Sequence, residues 1–250
     1  MLTDNGTLYH IGIRPSEGAE AAIICGDPGR VEPIARLMDD AAFLASKREY
    51  TSFSARLNGQ RILVMSHGIG GPSTAICIEE LHMAGVKTII RVGTCGGMNR
   101  NVKAGDLVVA SAAIRAEGTS REYMPIEYPA ASNFDVTAAL KNAAQQTERT
   151  CHVGVVHCKD SFYGQHSPGR MPAAEELQYK WNAWIRSGCL ASEMETAALF
   201  CVSASLNIRA GGILRVVWNQ ERAAAGIHDP SDNDELAAAR VAVEAMKSLL

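Results

Sequence analysis

The chain has 250 residues, of which 47% are hydrophobic, and a formal net charge of −3. This length and apolar content are enough for one α/β domain over residues 1–250. The weak charge, with no block of Lys or Arg, excludes a nucleic-acid or anionic-membrane surface, and no apolar stretch is long enough to span a bilayer. Seven scattered cysteines without a C-x-x-C pair indicate reduced thiols in a cytoplasmic protein. The expected partners are small molecules or copies of the chain itself.

Short apolar runs alternate with helical patterns along the chain. The runs that predict strands are Ala21–Ile24, Ile62–Met65, Thr88–Val92, Leu107–Ala113, His152–His157 and Gly211–Val217. The segments that predict helices are Val31–Met38, Ser73–Met83, Val136–Gln146, Ala174–Ile185, Glu195–Leu206 and an amphipathic C-terminal helix from Leu236 to Leu250. Asn58-Gly59 lies between Thr51–Leu57 and Arg61–His67 and predicts a hairpin. The fold class is therefore α/β with a mixed sheet.

Three turns after predicted strands are suited to an anion. Gly26 to Arg30 forms a tight turn with an arginine at its edge, although an ordinary strand-to-helix turn with a solvated arginine fits as well. Gly68 to Ser73 precedes a helix, with Pro72 placed at the first helical position, but its spacing matches neither a P-loop nor a dinucleotide motif. Arg91 ends a predicted strand, where open α/β sheets bind ligands.

Two carboxylates, Glu193 and Glu195, open a predicted apolar helix. Residues two apart on a helix point about 200° apart, so we expect only one of them to face a ligand. A carboxylate suits the adjacent hydroxyls of a ribose. A helix-start carboxylate stabilised by the helix dipole fits the segment equally well.

Five motifs occur together in one order along the chain. They are Gly26-Asp27-Pro28-x-Arg30, Ser46-x-Arg48-Glu49, Gly68-Ile69-Gly70-Gly71-Pro72-Ser73, Arg91-Val92-Gly93-Thr94 and Glu193-Met194-Glu195. As a set they resemble the trimeric/hexameric nucleoside phosphorylase family, from about His10 to the C-terminus. The resemblance implies a single domain with a central mixed, barrel-like β-sheet flanked by helices. It also implies a homohexamer, a trimer of dimers whose active sites are shared across each dimer.

The resemblance implies reversible phosphorolysis of a nucleoside, with uridine as the expected substrate in pyrimidine salvage. The residues it assigns to phosphate are Gly26, Arg30, Arg91, Thr94 and, from the neighbouring subunit, Arg48. Those it assigns to the ribose are Met194, Glu195 and, again from the neighbour, His10. The catalytic residues would be Arg30, Arg91, Glu195 and Gln165. No cofactor is required, but Glu49, Ile69 and Ser73 match a potassium site at the dimer interface of some relatives.

The base pocket implied by the resemblance contains Phe162, which would stack on the base, and Gln165, which would bond the uracil amide edge. Val216 and Val217 would form its apolar wall. The family's uridine-specific pattern has an arginine two residues after the glutamine, where this chain has Ser167. Lys159 and His166 are the favoured replacements because they bracket Phe162 and Gln165, and Arg170 and Arg222 are candidates further away.

Three alternatives stay open. A purine nucleoside phosphorylase is disfavoured, because the turn at Asn219 lacks the aspartate with which purine-selective relatives protonate the ring. A nucleosidase that uses water does not need three arginines, and a non-catalytic nucleoside-binding protein on the same fold is a further alternative. Histidines such as His67 and His157 show no metal-ligand spacing and are interpreted as ordinary core or surface residues.

Overall fold

Ten strands belong to one connected sheet in the computed structural model, which describes residues 1–229 and 231–250. The strands are β1 Ala21–Cys25, β2 Asp39–Lys47, β3 Tyr50–Leu57, β4 Gln60–Ser66, β5 Thr88–Gly97, β6 Leu107–Ala116, β7 Ala130–Ala131, β8 Cys151–Lys159, β9 Ala191–Glu193 and β10 Arg209–Asn219. The α-helices are α1 Val31–Ala35, α2 Gly71–Met83, α3 Thr119–Tyr123, α4 Phe134–Ala144, α5 Phe162–His166, α6 Ala174–Arg186, α7 Thr196–Ser205, α8 Gln220–Ala224 and α9 Ala237–Lys247.

The sheet closes because β10 has two neighbours, β6 on one side in antiparallel pairing and β5 on the other in parallel pairing. Strands β6, β8, β9 and β5 are also joined in that order, so these four and β10 form a closed barrel. From β5 the sheet continues through β1 and β4, which are parallel, to the antiparallel strands β3 and β2. The prediction of a mixed, barrel-like sheet flanked by helices is confirmed.

The hairpin predicted at Asn58-Gly59 is present between β3 and β4. Both residues have positive φ angles, 51° and 78°, and the flanking residues Leu57 and Gln60 pair directly. Asn and Gly are the residues that tolerate this conformation in a two-residue hairpin turn. The hairpin fixes the register of β4, whose last residue precedes one of the glycine-rich turns.

Two apolar layers on opposite faces of the sheet make up most of the core, and a smaller third cluster contains Met98, Trp181 and Cys189. Strand β1 is buried on both faces: Ala22 and Ile24 pack in the layer with α2 and α7, while Ile23 packs in the layer with α1, α4 and α9. The amphipathic C-terminal segment is helical, and Val243 and Met246 are among its core contacts. A side chain of this size contributes about 1.5–3 kcal/mol when fully buried.

Two predictions from composition can be compared with the structure. All seven cysteines are free thiols. None of the helices in the described part of the chain is both long enough and apolar enough to cross a membrane.

The parallel strands β1, β4 and β5 end at the same edge of the sheet, because they run in the same direction and in register. The turns after Cys25 and Ser66 therefore lie beside the last residues of β5. The ends of β8 and β9 lie close by, since β9 pairs with both β8 and β5. The carboxyl ends of strands are where α/β sheets bind ligands, and the candidate site lies at this edge.

Candidate active site

A cavity of about 790 Å³ opens where these strands end. The sequence-predicted residues that line it are Gly26, Arg30, Glu49, Ile69, Arg91, Thr94, Lys159, Phe162, Gln165, His166, Met194, Glu195 and Val217. Most of the residues assigned separately to phosphate, ribose and base thus share one cavity. Its volume is of the size that small-molecule sites usually have.

Arg91 lies at the bottom of the site and is 3% exposed. Its guanidinium folds over Gly93, where an added Cβ would lie 2.6 Å from the Arg91 NH1 atom, so only glycine leaves room for it. Glu195 accepts a hydrogen bond from its NH2 atom, and Glu193 Oε2 lies 3.2 Å from NH1. Burial disfavours the charge, but Glu195 and then Glu193 raise the pKa of Arg91 above its ordinary value. The guanidinium therefore stays charged.

The expectation that Glu193 and Glu195 point in opposite directions was wrong. It assumed that both lie on a helix, whereas Glu193 ends β9 and α7 begins only at Thr196. Both carboxylates converge on Arg91 as a result. Glu193 also accepts hydrogen bonds from the backbone N–H groups of Glu195 and Thr196, each at 2.9 Å, and so caps the start of α7.

Arg30 and Thr94, which are also assigned to phosphate, line the same cavity as Arg91. Pro28 to Arg30 form a short 3₁₀ turn, capped by the Asp27 side chain, which accepts from the backbone N–H of Gly29 at 2.8 Å. The turn carries Arg30 to the cavity wall, where it is half-buried. Thr94 is exposed on the same wall. Two guanidinium groups and a hydroxyl suit a phosphate oxyanion.

The cavity is also lined by a buried hydrogen-bonded chain of Lys159, Ser192 and Gln165. The Lys159 ammonium donates to Ser192 Oγ at 2.9 Å, and Ser192 donates to Gln165 Oε1 at 2.8 Å. Since Gln165 accepts through its oxygen, its amide nitrogen is the atom left to donate, here to Gln220 at 3.3 Å. Burial lowers the pKa of Lys159, against the opposing effect of Glu193.

Three aromatic rings also line the cavity, those of Phe162, His166 and Trp218. The His166 ring lies 4.3 Å from that of Phe162 and 5.8 Å from that of Trp218, measured between ring centroids. Burial, and then the charge of Lys159, lower the pKa of His166. Of the two candidates to replace the missing arginine, Lys159 belongs to the buried hydrogen-bonded chain and His166 to the aromatic rings.

The apolar wall is made by Val217 and Trp218, and the prediction of Val216 was wrong. Val216 is completely buried in the core, because strand alternation turns it away from the cavity. The pairing of β10 with β5 is interrupted by a bulge between Val216 and Trp218. A bulge adds one residue to the strand, so both Val217 and Trp218 are exposed to the cavity.

His10 and Arg48, which the resemblance assigns to the neighbouring subunit's site, lie outside the cavity of their own chain. The His10 ring contacts Glu80 at 2.8 Å, and Arg48 is exposed in the turn between β2 and β3 with a φ of 56°. Their assignment to the neighbour stays a prediction.

The three residues assigned to potassium surround the turn at Gly68. Ser73 Oγ donates to the carbonyl oxygen of Ile69 at 3.1 Å, and an added Cβ on Gly68 would lie 2.8 Å from the Glu49 Cγ atom. A carboxylate, a carbonyl and a hydroxyl are oxygen donors of the kind that hard cations take. The potassium site stays a prediction.

Sequence analysis missed several cavity residues, among them Asp27, Ser192 and Trp218. Asp27 belongs to the first glycine turn and had a local signal. Ser192 had none, because it reaches Lys159 and Gln165 only through the pairing of β8 with β9. Cys95 also lines the cavity, but burial raises the pKa of its thiol, which opposes a nucleophilic role.

The chain matches a known protein family over most of its length. The sequence profile of the Phosphorylase superfamily matches residues 20–250. The chain therefore belongs to the Phosphorylase superfamily.

Three known phosphorylases are similar to this chain over most of its length. The uridine phosphorylase of Treponema pallidum (strain Nichols) is 50% identical over 242 residues, which cover 97% of this chain and 94% of the relative. The uridine phosphorylase of Escherichia coli (strain K12) is 38% identical over 248 residues, with 97% and 98% covered. The guanosine phosphorylase of Halorubrum lacusprofundi is 38% identical over 226 residues, with 90% and 88% covered.

Proposed function

We propose that this chain is a uridine phosphorylase, a pentosyltransferase that converts uridine and phosphate reversibly into uracil and ribose 1-phosphate. The observation that carries the proposal is that one cavity is lined by two bonded groups of side chains. Arg91 is bonded to Glu195 and shares the cavity with Arg30, while Lys159 is bonded through Ser192 to Gln165. The first group suits phosphate and ribose, and the second suits a base.

Arg30 and Arg91 account for the attack on the sugar. Phosphate held by Arg30 and Arg91 would lie beneath the anomeric carbon, where its negative charge stabilises the oxocarbenium-like sugar and one oxygen then forms the new C–O bond. No protein nucleophile is needed, because catalysis comes from positioning and electrostatics. Glu195 would keep its contact with Arg91 and accept hydrogen bonds from the ribose hydroxyls with its remaining lone pairs.

Gln165 and Lys159 account for departure of the base. As the C–N bond breaks, the electron pair moves into the uracil ring, and its oxygens gain negative charge. The Gln165 amide nitrogen would donate to one of them, and Lys159 would stabilise the charge across Ser192. His166 and Phe162 would cover the ring face. In this arrangement Lys159 replaces the arginine of the usual uridine-specific pattern.

The proposal includes the assembly. Arg48 and His10 would complete the neighbour's phosphate and ribose sites, so the dimer would be the smallest active unit within a cytoplasmic homohexamer. Their position outside their own cavity supports this arrangement. Glu49, Ile69 and Ser73 would hold a potassium ion near that interface.

The direct test measures base release by purified protein from uridine, thymidine, inosine and guanosine, each with and without phosphate. We expect phosphate-dependent release of uracil with ribose 1-phosphate as the second product. Equal release without phosphate would identify a hydrolase. Faster release from guanosine would identify a purine phosphorylase like the Halorubrum relative, and binding without turnover would identify a nucleoside-binding protein.

A further inference from the structure

His67 follows β4 and is completely buried beside the arginine of the proposed phosphate site. Its Nε2 atom lies 3.3 Å from the Nε atom of Arg91, and its Nδ1 atom lies 3.1 Å from Thr74 Oγ1. Sequence analysis interpreted this residue as an ordinary core histidine. Its two ring contacts give it a more specific place in the site.

The donors around the ring determine its protonation. An arginine Nε always carries a hydrogen, so His67 Nε2 must accept. The ring proton is then on Nδ1 and is donated to Thr74, whose own hydroxyl donates to the carbonyl oxygen of Gly70 at 2.9 Å. A second ring proton would place N–H against N–H. In agreement, burial and then the charge of Arg91 lower the pKa of His67 well below its ordinary value.

These contacts belong to a closed ring of hydrogen bonds within the site. The backbone N–H of Gly70 donates to Glu195 Oε1 at 2.7 Å, and the other oxygen of Glu195 accepts from Arg91. The arginine assigned to phosphate and the carboxylate assigned to ribose are thus joined twice, directly and through His67, Thr74 and Gly70. All five groups are buried, so water does not compete for these hydrogen bonds.

We propose that His67 is a positioning residue of the phosphorylase site, whose neutral Nε2 acceptor holds the Arg91 guanidinium in the orientation that binds phosphate. The inference rests on the proposed function. With Nε bonded to His67 and NH2 bonded to Glu195, the guanidinium cannot turn about its long axis. Its NH1 atom is buried and lies 3.2 Å from Glu193 Oε2, so the guanidinium is held on three sides where it borders the cavity.

A matched pair of amides tests this role. In His67→Gln the side-chain oxygen reaches the place of Nε2 and keeps an acceptor for Arg91. In His67→Asn the shorter amide reaches only the place of Nδ1, so that acceptor is lost. We expect His67→Asn to raise the phosphate KM by about ten- to hundredfold, as for a lost hydrogen bond to a charged group, and the uridine KM less. His67→Gln should recover most of the loss.

A merely structural role would instead lower kcat and thermal stability alike in both variants, with the phosphate KM unchanged, and that result would overturn the proposal. If His67→Asn does not fold, the wild-type protein gives the answer through ¹⁵N NMR of its labelled histidine rings. A neutral His67 with its proton on Nδ1 is expected, and an imidazolium or an Nε2–H ring at neutral pH would overturn the proposal. Absence of phosphate-dependent turnover in the wild type would overturn the proposed function instead.

Discussion

Replacing Lys159 by methionine is the most direct test of its proposed role in stabilising the departing base. Methionine keeps the length and apolar stem of the side chain but removes the ammonium that donates to Ser192 at 2.9 Å. A hydrogen bond from a charged donor contributes about 1.5–3 kcal/mol, which corresponds to about tenfold to hundredfold in rate. We expect kcat for uridine to fall by that factor, because the departing uracil anion loses its cation.

The pH dependence gives a second, independent readout. Burial lowers the pKa of Lys159 more than Glu193 and Glu195 raise it, so the ammonium loses its proton at a lower pH than an ordinary lysine, whose pKa is about 10.4. The activity of the wild type should therefore fall on the alkaline side as Lys159 loses its charge. Lys159→Arg should move this decline to higher pH, and Lys159→Met should lack it.

The assay is initial-rate phosphorolysis at saturating phosphate over the neutral and alkaline range. Ionisation of uridine itself is common to all three proteins and cancels when their profiles are divided. The free energy of unfolding should not fall in Lys159→Met, because a buried lysine with a lowered pKa opposes folding while it is charged. Unchanged kcat in Lys159→Met, with the same alkaline decline as the wild type, would refute the assignment.

Three further predictions concern other parts of the molecule. Trp218→Val should enlarge the cavity and reduce the preference for uridine over inosine by about tenfold or more, measured as the ratio of kcat/KM values; an unchanged ratio would remove Trp218 from specificity. Gly18→Ala should lower stability by about 1–3 kcal/mol, because its Cβ would collide with a backbone carbonyl of the turn after α2. Gly169→Ala, where a Cβ meets open space, is its control in denaturant unfolding. Arg48→Ala and Arg30→Ala should each be nearly inactive, but subunits refolded as a mixture should regain about a quarter of the wild-type activity, since one site of each mixed dimer is intact. No recovery would contradict sites shared across the dimer.

The sequence allowed prediction of the elements that have a local signal. Buried parallel strands such as β1 are continuous apolar runs, and Asn58-Gly59 encodes its own turn. Strand β2 was missed because its residues are mostly exposed and mix charged with apolar side chains. Strand β9 has only three residues and is defined by its pairing partners.

The site was predictable where a motif lies within one turn and not where segments meet in space. Arg91 and the glycine turns were found from neighbouring residues. The meeting of Glu193 with Arg91 depends on the end of β9, and Trp218 faces the cavity only because of a bulge in β10. His67 was interpreted as ordinary because it shows no metal-ligand spacing, and its contact with Arg91, 24 residues away, has no local signal. These contacts result from the closed sheet, which no local pattern encodes.

Closure of the barrel by β10 also affects how the site forms during folding. The groups assigned to phosphate lie on segments that end by Thr94, whereas the base wall lies on the last strand of the sheet. A chain that ended before Arg209 would leave β5 and β6 each with an open hydrogen-bonding edge. It would keep the arginines assigned to phosphate but lack Val217 and Trp218, the apolar wall of the cavity. Turnover of uridine would therefore show that β10 has paired with β5 and β6, whereas phosphate binding alone would not show it.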